Sequence, residues 1–90
     1  MLLMVIERFR ADCTKAIGER FRQHGRLLPE GVTYHASWVD PSGSRCFQLM
    51  EAPDPGSVRP WMERWGDLIE FEVVPVLTSG DFWALRSSSD

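Results

Sequence analysis

The first residue able to do chemistry is a carboxylate set in an apolar run. Glu7 follows Leu2-Leu-Met-Val-Ile6 and precedes Arg8-Phe9. A carboxylate midway along such a segment needs a partner, or desolvation raises its pKa. It can then serve as a general base or as an acid that orients a ligand. An ion pair with an arginine across an assembly seam accounts for it as well. His35 is of the type suited to moving protons at physiological pH, and it is the second catalytic candidate beside Glu7; a hydrogen-bonded or exposed histidine needs no such role. Ser37 and Gln48 can orient a carbonyl or hydroxyl, or satisfy each other or a buried water. Met50 and Glu72 complete the candidate ligand-binding set, one apolar and one acidic. Glu72 also suits an edge strand that discourages open-ended pairing.

Other chemistries find less support. A metal site would need Glu7, His35 and Glu72 to converge, and no His-x-x-x-His, Cys-x-x-Cys or Glu-x-x-His spacing favours one. Phosphate-cradling glycine loops and nucleophile elbows are absent from the sequence, so no cofactor is expected. Cys13 and Cys46 do not make a disulfide framework. Trp61 and Trp65 could form a stacking platform, yet their helical spacing favours core packing. Arg20, Arg22 and Arg26 make a modest basic surface. Ten Lys+Arg against thirteen Asp+Glu give a net charge of −3, which argues against a nucleic-acid partner held by charge.

These residues must be positioned by a short chain. Ninety residues, 43% hydrophobic and 26% charged, fit one globular domain. Residues 2–9 predict a central strand. Asp12 is placed to cap a helix whose stripe carries Cys13, Ala16, Ile17 and Phe21, and Gly25 ends it. Residues 32–39 and 45–51 alternate about an Asp40-Pro-Ser-Gly-Ser44 turn, a β-hairpin with Trp38 opposite Phe47 and Ala36 opposite Leu49. Pro60 decides the next helix start: with Ser57 as N-cap it falls in the first turn, whereas with Asp54 it would interrupt the helix. Val58, Trp61, Met62 and Trp65 then share a seam, and Gly66 stops it. Residues 68–77 predict the last strand, with Pro75 at an edge or break. Residues 1–79 form the domain, and residues 80–90 form a fraying tail whose Phe82 and Trp83 could still pack on something.

The order β-α-β-β-α-β predicts an α+β, ferredoxin-like fold, a four-stranded antiparallel sheet with two helices on one face. Tyr34, Ala36, Trp38, Phe47, Leu49, Met4 and Ile6 make the better helix-facing set. Leu3, Val5, Glu7, His35, Ser37, Gln48, Met50, Glu70, Glu72 and Val74 are then left on the open face, which a second copy would cover to give a dimeric α/β barrel with a partly polar cavity. In the alternative assignment, Trp38 and Phe47 line the cavity. The N-terminal apolar run is too short for a signal peptide or membrane span, so a cytoplasmic chain with no membrane partner is expected.

Met4-Val-Ile-Glu-Arg-Phe9, Leu28-Pro-Glu-Gly31, Ser37-Trp38, Cys46-Phe-Gln-Leu-Met-Glu51, Trp61-Met-Glu-Arg-Trp65 and Phe71-Glu-Val-Val-Pro-Val76 together resemble a small bacterial domain-of-unknown-function family, 3303. The resemblance covers about residues 1–79; Pro60 and Phe82–Asp90 depart from its pattern. It implies the dimeric α/β-barrel superfamily, which includes small oxygenases, isomerases, haem enzymes and ligand-sensing domains, and it carries over no catalytic residue. Three functions stay open: a homodimer binding a small, partly apolar molecule between its paired sheets, a cofactor-independent oxygenase- or isomerase-like enzyme using Glu7 or His35, and a structural dimer without ligand.

Overall fold

The chain runs β1 (Leu2–Phe9), α1 (Thr14–His24), β2 (Thr33–Val39), β3 (Arg45–Glu51), α2 (Arg59–Trp65), β4 (Ile69–Val76) and α3 (Ser79–Ser88), in a computed structural model that describes residues 1–88. The strands form one sheet in the order β2-β3-β1-β4, antiparallel at every step. Each β-α-β unit thus skips one strand, which is the ferredoxin-like arrangement. β1, the strand richest in apolar residues, and β3 take the central places, where both edges are hydrogen-bonded.

The hairpin pairs as expected, with Trp38 opposite Phe47, Ala36 opposite Leu49 and Ser37 opposite Gln48. One residue earlier the register slips. Tyr34 pairs with Met50, so His35 is an extra residue, a bulge on edge strand β2. Since side-chain direction has period two, the bulge sends Tyr34 to the face opposite Ala36 and Trp38.

The helix starts differ in detail from expectation. Cys13, not Asp12, occupies the N-cap of α1 and makes no side-chain cap bond, and Asp12 itself takes φ 61°. Gly25 closes α1 at φ 68°, the conformation that favours glycine there. Ahead of α2 the Ser57 start is not the one used: Asp54 caps a short turn and Val58 occupies the N-cap of the helix. Asp54 accepts from the Ser57 amide at 3.1 Å and caps a short 3-10 turn, Pro55–Val58. Helix α2 then begins with Pro60 in its first turn, and Ser57 caps nothing. The expected tail is helical through Ser88: Thr78 Oγ1 accepts from the Asp81 amide at 3.0 Å, and Phe82 meets Trp83 edge to face at 5.1 Å. Ser89 and Asp90, the end of that tail, lie outside the described residues.

The core corrects the face assignment. Leu3, Val5 and Met50 are fully buried, in one cluster with Val58, Trp61, Trp65 and Ile69. The helices therefore cover the side carrying Leu3, Val5, Glu7, Cys46, Gln48 and Met50, not the side carrying Trp38 and Phe47. The bulk comes from α2: Trp61 packs edge-on against Phe71 of β4 at 5.0 Å, and Trp61 and Trp65 are both buried in the core cluster. Trp38, on the edge strand, is 55% exposed. On β4 the expectation holds, because Glu70, Glu72 and Val74 share the outer side with Arg8, Ile6 and Met4. Helix α1 contributes no buried residue; Ile17 is half-buried and Phe21 exposed. That loose cover opens a space above the Glu7 end of the sheet.

Candidate functional site

Glu7 lies on the helix side of β1, opposite Cys46 of β3 and Phe71 of β4. It is 3% exposed. Gln48 pairs with Val5, one diagonal step from Glu7 on the same face, and its Nε2 donates to Glu7 Oε2. Arg26 Nε in turn donates to Gln48 Oε1 at 3.3 Å. A guanidinium cannot accept, so the Gln48 amide must turn its oxygen to Arg26 and its NH₂ to Glu7. The result is a relay from cation through amide to carboxyl, without direct ion pairing.

Arg26 is fixed at both ends. Its carbonyl accepts from the indoles of Trp61 at 3.0 Å and Trp65 at 2.9 Å, residues one helical turn apart on α2. Its guanidinium lies 3.6 Å from the Tyr34 ring centroid, and Nη2 donates to Ser37 Oγ at 3.4 Å. Ser37 Oγ also meets the Tyr34 hydroxyl at 2.7 Å. The bulge at His35 is what brings Tyr34 to this side.

Burial pushes the Glu7 carboxyl up to about 7, against the opposing effects of the Gln48 hydrogen bond and the Arg26 charge. The Cys46 thiol beside it is pushed up to about 11, chiefly by burial and then by the Glu7 charge, while Arg26 pulls it down. A thiolate is the reactive form, so Cys46 should be inert. In a Cys13→Ser chain at pH 8, iodoacetamide labelling followed by mass spectrometry should find Cys46 unmodified until denaturant is added. Prompt labelling in the folded state would contradict its burial.

Glu7, Gln48, Cys46 and Arg26 border a cavity of about 160 Å³ between the sheet and the helices. Ile17 and Phe21 of α1, with Trp61 and Trp65 of α2, supply much of its apolar wall. The arrangement can seat a small apolar body and offer it one titratable carboxyl, one amide and one cation.

Of the sequence candidates, Glu7, Ser37 and Gln48 meet here through Arg26. His35 does not: it is 2.9 Å from Glu51 Oε1 on an exposed edge, so no Glu7–His35 proton relay forms. Glu72 is exposed on the outer face, 3.6 Å from Arg8. Met50 is fully buried in the core and does not border the cavity. Glu7, His35 and Glu72 thus stand in three separate places, and among the described residues no group of three His, Cys, Asp or Glu side chains is placed to hold a metal ion. Sequence reasoning missed Arg26, which has no motif around it, and Cys46, whose place opposite Glu7 follows from the strand register. No helix among the described residues is long and apolar enough to cross a membrane.

A family model described as "Domain of unknown function (DUF3303)" matches residues 1–89. No curated protein and no solved structure matches the chain.

Proposed function

The chain belongs to the DUF3303 family, and from that premise we propose that it is a small-molecule-binding domain whose site is the cavity beneath α1 and α2. The observation that carries this reading is the Glu7 carboxyl, buried at the wall of an apolar cavity and joined through Gln48 to Arg26. A carboxyl in that position is costly to the fold, and an apolar pocket with a few converging polar groups is the usual form of a ligand site. The site differs from the one expected between paired sheets because the polar residues face the helices. Benzyl alcohol is a suitable neutral probe for a space of this size. It should quench or shift Trp61 and Trp65 fluorescence saturably, and Ile17→Trp, which fills the cavity from α1, should weaken binding at least about tenfold. Saturation unaffected by that substitution would place the probe elsewhere.

The enzyme reading has one observation in its favour. A carboxyl held near neutrality exists in both protonation states at physiological pH, as an acid–base catalyst requires. Proton transfer in a cofactor-independent isomerase- or oxygenase-like reaction would then fall to Glu7, and Glu7→Gln would abolish it.

The outer sheet face, where Trp38, Phe47, Leu49, Met4 and Ile6 stand together, is the surface proposed to pack on a second copy, forming the dimeric α/β barrel with one cavity per protomer. The two free thiols of the chain, Cys13 and Cys46, suit a reducing, cytoplasmic setting. Trp38→Glu, a change at a side chain exposed in the single chain, should convert dimer to monomer in sedimentation at micromolar concentration without unfolding it. A wild-type chain already monomeric there would remove the dimer. A dimer that binds no probe would leave the structural-dimer reading.

A further inference from the structure

We propose that the cavity selects a small weak acid, one acidic oxygen group on a flat apolar body about the size of a benzene ring, seated with that group between the Glu7 carboxyl and the Arg26 guanidinium. The inference rests on the cavity being the ligand site and adds the chemical class of the ligand.

Size sets the body. A closed apolar cavity of roughly 150 Å³ accepts benzene, and the cavity here measures about 160 Å³. Its walls include aromatic rings from both helices, which favour a flat partner.

Charge sets the polar group. Among the described residues the side-chain hydrogen-bond partners of Arg26 are an amide and a hydroxyl, both neutral, and its other neighbours are the Tyr34 and Phe21 rings. The Glu7 carboxyl is joined to Arg26 through Gln48 and makes no direct hydrogen bond with it. A half-buried cation with only neutral partners attracts an anion, and Arg presents several N–H groups in one plane for a carboxylate. The basic side chain of Arg20 does not add a second charge, since it is engaged with Asp67 at 2.7 Å. One cation matches a monoanion.

Glu7 makes that binding proton-linked. The groups facing it are the neutral Cys46 thiol and Gln48 amide of β3, Phe71 of β4, and Arg26 after α1; the helices present only Ile17, Phe21, Trp61 and Trp65 to the cavity. An anion arriving beside Glu7 favours the protonated carboxyl, which can donate to it. With a midpoint near 7, binding at pH 7 should take up about half a proton, and affinity should fall about fifteenfold between pH 7 and pH 8.5 as Glu7 ionises.

Calorimetry with benzoate and with benzyl alcohol, at pH 7 in two buffers of different protonation enthalpy, tests this on the full chain. Benzoate is expected to bind at least tenfold more tightly than benzyl alcohol, with proton uptake. Glu7→Gln should abolish the uptake and the pH dependence. Arg26→Gln should remove the preference for benzoate while keeping the carbonyl that anchors both indoles, and near-UV circular dichroism checks that its fold survives. Benzyl alcohol binding as well as benzoate would overturn the weak-acid ligand and leave the cavity standing as a site. Benzoate binding without proton uptake would overturn its placement beside Glu7. Binding of neither probe would overturn the ligand class together with the site.

Discussion

Glu7→Gln is expected to stabilise the fold at pH 8 by about 3 kcal/mol and to flatten its stability between pH 4.5 and pH 8. The carboxyl rises from its ordinary 4.5 to about 7 on folding, and each unit of pKa corresponds to about 1.4 kcal/mol. The folded chain holds this proton more tightly than the unfolded chain does. Its contribution is therefore complete below pH 4.5 and is lost as the pH climbs through 7. Gln is the same shape and stays neutral, and its oxygen can still accept from Gln48. Asp40 and Asp67 move the other way, held low by hydrogen bonds from Ser42 and Arg20 respectively, so their contributions fade only on the acid side of this window. Urea denaturation at pH 5 and pH 8 reads the effect directly. A wild-type chain equally stable at both, matched by its Gln variant, would contradict the buried carboxyl.

Trp61→Ala is expected to remove about 4 kcal/mol, enough to leave a chain of this size largely unfolded at 37 °C. Trp61 is 2% exposed, packs edge-on against Phe71 and donates to the Arg26 carbonyl. It joins α2, the sheet and the segment carrying the guanidinium, so its loss opens the core and frees Arg26 together. Trp65→Phe should be far milder, because the ring stays and only one of the two indole bonds to that carbonyl goes, a loss of about 1 kcal/mol. Thermal melts of the two variants separate these effects. A loss below about 1.5 kcal/mol for Trp61→Ala would show that the indole is not part of the central packing.

The fold was legible because its signals agree with one another. The strand runs, the Asp40–Ser44 turn, Gly25 and Pro60 all mark elements that local chemistry and the sheet both require. The side of the sheet was not legible. On β1 both Leu3/Val5 and Met4/Ile6 are apolar, so the strand pattern does not choose a face. Trp38 and Phe47 pulled the choice toward their side, and Glu7 pointed away from any core. The structure buries Glu7 regardless, and a rule broken at one buried residue is the mark of a functional or strained position. Tyr34 was misplaced for a different reason: the bulge at His35 inserts one residue that alternation cannot register. Arg26 follows a helix-ending glycine with no pattern of its own. Only packing brings its carbonyl to two tryptophans and its guanidinium to Gln48.

A ¹³C NMR titration of the Glu7 carboxyl, with and without saturating benzoate, tests the buried carboxyl and its ligand most directly. A midpoint near pH 7 in the free chain, moving upward when benzoate occupies the cavity, is the expected result. A midpoint at the ordinary 4.5, unmoved by benzoate, would contradict it.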